Sequence, residues 1–321
     1  MPSSANLLKF IVLCVVWGLT WIATKVGIGT VPPLLFAATR FIAAGVIVSL
    51  WMWRETHFSK WQKNDVIRLF AASLLMVTLT YGPLYWGMRY VSSGTAGVLE
   101  MSLTPLALLG FGIALGQERW SWMSAIALAL GIAGLCVLFA PSIKANEGAG
   151  AWSIVGFFAV AWAAVSYAWG SVLARPLIER YGSGMLSGAT MLIGGAALLL
   201  GSLGWEPNST QSLETFWGWP ATLGWLFLLL FGSLVGYSLY MQLLRDLGPA
   251  KAGSFAFVSP IIAVLVGVIV AEETVQALSV AGMAVMLLAA GTSLYGDELE
   301  ALFARIACNA TSTVQKLRAA L

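Results

Sequence analysis

The sequence predicts an all-α membrane protein: ten transmembrane helices forming two inverted five-helix repeats around a central cavity. Three observations predict it. The 321 residues are 59% apolar and only 10% charged, and a mean hydropathy of +0.86 leaves too little polar surface for a soluble fold. The apolar residues fall into runs of about 20, the length that crosses a bilayer as a helix. The second half of the chain also repeats features of the first at a fixed offset.

The first span, Leu8 to Ile28, begins after a lysine as a signal peptide would. It is too long for a signal core, carries Trp17, Trp21 and Lys25, and lacks a small-residue cleavage site, so it reads as a retained helix. The second, Pro33 to Trp53, contains Arg40, and the third, Val66 to Tyr90, contains Pro83 and sets Thr78, Tyr81 and Tyr85 on one helical face. The fourth, Gly94 to Leu115, holds Glu100, Met101, Thr104 and Pro105; the fifth, Trp122 to Ala140, is rich in small residues such as Ala127, Gly131 and Gly134. The sixth, Trp152 to Ala174, groups Trp162, Ser166 and Trp169, and the seventh runs from Gly184 to Gly204. The eighth, Ala221 to Leu244, aligns Ser233, Tyr237 and Tyr240, while the ninth, Ala250 to Ala271, carries Ser259 and Pro260. The tenth, Ala277 to Tyr295, is again small-residue-rich, with Gly282, Ala289, Ala290 and Gly291. Such faces allow close helix approach, within the bundle or in a homodimer.

At an offset of 155, Leu79, Leu84, Tyr85, Pro105, Gly112 and Glu118 meet Leu234, Leu239, Tyr240, Pro260, Gly267 and Glu273. A weaker match at offset 150 sets Lys25 against Arg175. Five spans per half is an odd number, so the halves enter the membrane in opposite senses, as in transporters whose halves rock about a central site. Residues 1–145 form the first repeat, 146–296 the second, and 297–321 a cytoplasmic tail. In that tail Leu299, Leu302, Phe303, Ile306 and Ala310 keep helical spacing, which suits either an amphipathic surface helix or a solvated end.

The basic residues orient the chain. Ten of them, from Lys9 to Lys251, lie in the loops and ends on one side, against Lys25, Arg40, Arg89 and Lys144 on the other. The positive-inside rule assigns the richer side, with both termini, to the cytoplasm of a cell inner membrane. The net charge of +3 then follows from topology and gives no support to nucleic-acid binding. Cys14, Cys136 and Cys308 have neither disulfide nor metal spacing, and no cofactor is implied.

Glu100 is the only acidic residue well inside a span. Burying its charge costs at least a few kcal/mol, so it faces a partner or a water-filled cavity. Arg40 and Glu100 each lie about seven residues from the same face, roughly 10 Å deep at 1.5 Å per residue, and are able to meet. They form either a structural ion pair or a coupling and substrate site. Trp17, Trp162, Trp169, Tyr81, Tyr85, Tyr237 and Tyr240, with the hydroxyls of Thr78, Thr104 and Ser259, suit a cavity offering apolar walls and hydrogen bonds, though each ring is equally explained by helix packing. Pro105 and Pro260, at matched positions, are candidate hinges or simply membrane-helix prolines. The remaining tryptophans, including Trp51, Trp53, Trp61, Trp120, Trp122, Trp152, Trp217 and Trp219, lie near span ends as interfacial rings do.

Trp17-Gly18 with Lys25, Arg40 in the second span, and a doubled proline-bearing helix followed by an acid (Pro105 with Glu118, Pro260 with Glu273) resemble the drug/metabolite transporter superfamily in its ten-helix EamA-type branch. The aromatic interior is similar to that of the YddG-type exporters of aromatic amino acids. The resemblance implies a cavity formed by spans 1 to 4 and 6 to 9, with spans 5 and 10 at the periphery, and export from the cytoplasm by alternating access. Other branches move other amino acids, cationic drugs or sugar-linked metabolites. Few mid-span basic residues argue against strongly anionic phosphates. His57 and the aspartates lie outside span centres and no hydrolase motif is present, so an intramembrane enzyme is disfavoured, as is a channel. The expected partners are a small-molecule substrate and the lipid bilayer, with the protein a monomer or homodimer.

Overall fold

The structure is a computed structural model that describes residues 3–52, 61–91, 93–144, 151–271 and 277–320. Among these residues every regular element is a helix. Eight segments are long and apolar enough to cross a membrane: Ser4–Ile28, Pro33–Met52, Lys63–Gly87, Trp152–Tyr181, Ser183–Trp205, Trp219–Leu247, Pro249–Val266 and Ala277–Leu302. Two shorter apolar stretches, Leu99–Ala114 and Trp122–Leu138, fall at the predicted fourth and fifth spans.

Helix α1 (Ser4–Ile28) starts where the Ser3 hydroxyl accepts the Asn6 N–H at 3.2 Å, and has Lys25 in its last turn, where a cation opposes the helix dipole. Helix α2 (Pro33–Met52) opens on a proline, whose missing N–H costs nothing in a first turn. The Glu206 carboxylate satisfies two of the free amides there, accepting from Leu34 N at 2.9 Å and Leu35 N at 3.0 Å.

The third span is α3 (Lys63–Ser73), a π-helical segment Leu74–Thr78, and α4 (Leu79–Gly87). It is followed by α5 (Ser93–Ala114), α6 (Trp122–Lys144), α7 (Ala151–Tyr181), α8 (Ser183–Trp205) and the short α9 (Ser209–Glu214). Next come α10 (Trp219–Phe227), a second π-helical segment Leu228–Tyr237, and α11 (Ser238–Leu247). Gly248, at φ +86°, makes the sharp turn into α12 (Pro249–Gly253), which leads to α13 (Phe255–Ala271). A side chain at Gly248 would be strained, and its Cβ would lie 2.5 Å from Glu118 Oε1.

Helix α14 (Ala277–Ala320) is 44 residues long and passes unbroken through residue 297, where the sequence suggested a tail distinct from the last span.

The helical turn widens at the two π segments, while the prolines, which lack an N–H for the ladder, leave the helices unbroken. Pro105 and Pro260 lie inside continuous helices. In the first π segment the Leu79 N–H reaches back to Leu74 O. Within the same segment Leu75 O accepts from the Thr80 hydroxyl at 2.7 Å and the Ser166 hydroxyl at 2.8 Å, as polar groups in an apolar medium require.

Helix pairs close over glycines. A Cβ at Gly45 of α2 would lie 2.6 Å from Leu192 N of α8, and one at Gly282 of α14 would lie 2.8 Å from Leu138 N of α6. With Ala127, Ala289 and Ala290 buried, much of the small-residue face of α6 and α14 is used in packing these helices inside the bundle. Trp51, Trp120, Trp122, Trp152 and Trp219 are exposed, whereas Trp61 stacks on Tyr181 at 4.0 Å and Trp217 donates to Ser212 O. His57, Trp53 and Glu273 lie outside the described residues.

Candidate functional site

A cavity lies where α1, α2, α4 and α5 meet α7, the second π segment and α13. Two of its walls follow directly from helical spacing. Trp17, Thr20, Trp21 and Thr24 recur at i, i+3, i+4 and i+7 on α1, and Tyr81, Leu84 and Tyr85 on α4, with Met88 just past its end, do the same. Helix α5 adds Glu100 and Met101, and the second half contributes Tyr167, Leu228, Gly232 and Phe255.

One end is a cluster of rings. Trp17 meets Phe255 edge-on at 4.6 Å and 82°, and its ring lies 5.4 Å from Tyr240 and 6.3 Å from Tyr167. Its indole N–H donates to Gly232 O at 3.3 Å. Tyr240 is fully buried behind this wall and donates to the Ser171 hydroxyl at 2.9 Å. The polar tips of Trp17 and Tyr240 thus have partners, the buried Tyr167 hydroxyl has none among the described residues, and the ring faces supply the apolar surface.

The other end is built around Arg40. Its guanidinium carbon lies 4.2 Å from the Phe41 ring centre and 5.3 Å from that of Tyr81, and Nη2 donates to the Tyr85 hydroxyl at 3.3 Å. A guanidinium only donates, so Tyr85 accepts from it, and its hydroxyl also shares a hydrogen bond with Thr24 Oγ1, 3.3 Å away. Tyr81 packs edge-on against Tyr85 at 5.7 Å and tilted against Phe41 at 4.6 Å. Arg40 is 3% exposed, and its Nε has no hydrogen-bond partner. No ion pair joins it to Glu100 among the described contacts, although both side chains line the same cavity.

Of the residues expected from sequence, Trp17, Tyr81, Tyr85, Glu100, Met101 and Arg40 therefore come together. Tyr237 and Tyr240 back the walls without lining them; the Tyr237 hydroxyl donates to Thr190 at 3.1 Å. Thr78 is turned away by the π segment and donates to Gly194 O at 2.9 Å, and Thr80 lines the cavity in its place. Thr104 is buried outside it. Ser259 marks the crossing of α13 with α1, where a Cβ on Gly18 would lie 2.7 Å from Ser259 O. Trp162 and Trp169 are 43% and 39% exposed and point away, Trp169 stacking on Phe111 at 5.7 Å.

Thr20 and Thr24 were missed although they share the Trp17 face. Tyr167 and Phe255 were missed too, although they correspond to Trp17 at offset 150 and to Glu100 at offset 155. Among the described residues no group of His, Cys, Asp and Glu is placed to hold a metal.

The cavity occupies the half of the bundle holding the end of α1 and the start of α2. The opposite end is tied by polar contacts. Lys9 pairs with Asp246 at 3.3 Å, and Asp65 accepts from Arg180 and Tyr181, both at 2.6 Å. Lys251 pairs with Asp297, and Arg175 pairs with Glu179 and donates to Gln117 O at 3.2 Å. Glu118, in the turn after α5, accepts the Ala250 N–H at 3.3 Å. Burial pushes its carboxyl above the usual range, an effect partly offset by that N–H and by Arg175 and Lys251.

The model of the EamA-like transporter family matches twice, over residues 5–140 and 154–295. The chain is 31% identical over 301 residues to "Uncharacterized inner membrane transporter YedA" of Escherichia coli K12, covering 88% of this chain and 90% of that protein. It is 25% identical over 283 residues to "Uncharacterized transporter YvbV" of Bacillus subtilis, covering 88% and 89%. A crystal structure of an 18% identical protein superposes with a TM-score of 0.75 over 93% of this chain and 99% of the other, a likeness of fold alone. With apolar helices able to cross a membrane several times and both halves matching one family, the chain is a multi-pass membrane transporter and belongs to the EamA-like transporter family.

Proposed function

We propose that this transporter exports amino acids, aromatic ones foremost, across a cell inner membrane by alternating access of two inverted five-helix repeats. The carrying observation is the cavity itself: aromatic rings from both halves of the chain, a buried guanidinium and a half-buried carboxylate face one space. Rings stack on an aromatic side chain, while opposite charges at fixed positions suit the two ends of a zwitterion.

The repeat reading is supported by the doubled family match and by the π segments. Residues 74–78 shifted by 155 become 229–233, inside the second π segment. Positive-inside topology puts the tied end of the bundle in the cytoplasm and the cavity on the outer side. Pro105 and Pro260 would flex in such a cycle as matched hinges. A proteoliposome panel of aromatic, aliphatic and cationic solutes, with and without a pH gradient, tests the substrate. Saturable counterflow of Phe or Trp is expected, and transport confined to organic cations would replace this reading with a drug exporter. The second reading draws on Glu100 among aromatic rings, a common way to hold a cation; Arg40 in the same cavity opposes it.

A further inference from the structure

We propose that Arg40 is the carboxylate receptor of the cavity, so that the transported class is defined by an acid group next to an aromatic body, not by the amine. This rests on the proposed small-molecule cavity but assigns the selecting group within it. Arg40 is 3% exposed, and its surroundings are two aromatic faces and a tyrosine hydroxyl. Among the described residues no carboxylate pairs with it. A buried, unpaired cation is costly, and a fold that keeps one between aromatic faces holds a charge ready for an anion.

The geometry also sets its direction. The Phe41 and Tyr81 rings lie against the guanidinium, and Tyr85 accepts from one nitrogen while also sharing a hydrogen bond with Thr24. Nη1 points toward Gly232, where a Cβ would come within 3.4 Å of it, so the absence of a side chain there keeps the approach open. A planar fork with donors to spare matches a carboxylate, and the rings of Tyr81 and Trp17 are placed to cover an aromatic group attached to it.

The test uses the purified full chain and direct binding of three labelled ligands, each measured separately. These are L-phenylalanine, 3-phenylpropanoate (the acid without the amine) and 2-phenylethylamine (the amine without the acid). The wild-type protein is expected to bind the two acids more tightly than the amine. Arg40→Gln should raise Kd about ten- to hundredfold for both acids, the range of a charge-assisted hydrogen bond, with a far smaller effect on the amine. Tyr85→Phe, which keeps the ring and frees the guanidinium, should produce a smaller loss of the same selectivity, and it decides the matter if Arg40→Gln does not fold.

Equal weakening of all three ligands, or none, overturns the assignment while leaving amino-acid transport intact if phenylalanine is carried. Arg40-dependent binding of 3-phenylpropanoate without any binding of phenylalanine sustains the assignment and overturns the amino-acid reading. Failure of the wild-type chain to bind any of the three overturns both.

Discussion

At the scale of single residues, the cavity separates rings that line it from rings that pack behind it or away from it. Trp17→Ala and Tyr81→Ala remove stacking partners worth on the order of 1 kcal/mol each beyond burial. They are expected to lower the ratio of phenylalanine to alanine transport about two- to tenfold at matched expression. Trp162→Ala and Trp169→Ala, outside the cavity, should leave that ratio where it is. Tyr240→Ala should instead lower folded yield, because a fully buried ring and its bond to Ser171 are lost and all substrates suffer together. Glu100 forms no ion pair with Arg40, so Glu100→Gln is not expected to strand a cation; folded yield should hold while the pH dependence of transport flattens. A collapse in yield would show that the two residues pair in another state of the cycle.

At the scale of helices, close packing makes the predictions steric. Gly45→Ala would drive a Cβ against the backbone of Leu192 and is expected to lower stability by about 1–3 kcal/mol, read as a fall in thermal midpoint in detergent. Gly291→Ala meets nothing within 4 Å and should be neutral or slightly stabilising, since alanine is the better helix former. The turn after α5 carries a pH signature. Glu118 ionises at higher pH in the folded chain than unfolded, so its contribution is fullest at acid pH and falls as pH rises through the raised value. Glu118→Gln should therefore flatten the stability profile in that window; an unchanged profile would mean that Arg175 and Lys251 cancel the burial.

At the scale of the whole molecule, topology carries the strongest expectation. A cysteine at Asn208 should react with an impermeant thiol reagent from outside, and one at Asn64 should not; the reverse would invert the proposed direction of transport.

The all-helical membrane fold and the family were legible in the sequence because apolar run length and doubled motifs are one-dimensional signals. Arg40, Tyr81, Tyr85 and Glu100 were legible for the same reason, since polar tips at helical spacing stand out in an apolar chain. The π segments were not. Nothing in the composition of Leu74–Thr78 marks a wide turn, and extrapolating α-periodicity through it brought Thr78 into the cavity and left Thr80 out. Trp162 and Trp169 were misplaced by a different ambiguity, because an outward tryptophan and a cavity tryptophan carry the same pattern until the neighbouring helices are in place.

Each wide turn also leaves a mark on the chain's history. A π turn is one residue inserted into an α-helix, and such an insertion shifts every later side chain around the axis. At offset 155 the first π segment falls within the second, and each offers a carbonyl to the opposite half: Leu75 O to Ser166, and Gly232 O to Trp17. If the halves share descent, a single insertion before gene doubling accounts for both turns, whereas independent insertions would have to land in the same place twice. The ancestor would then have been a half-length chain that already carried the wide turn and already met a copy of itself across it.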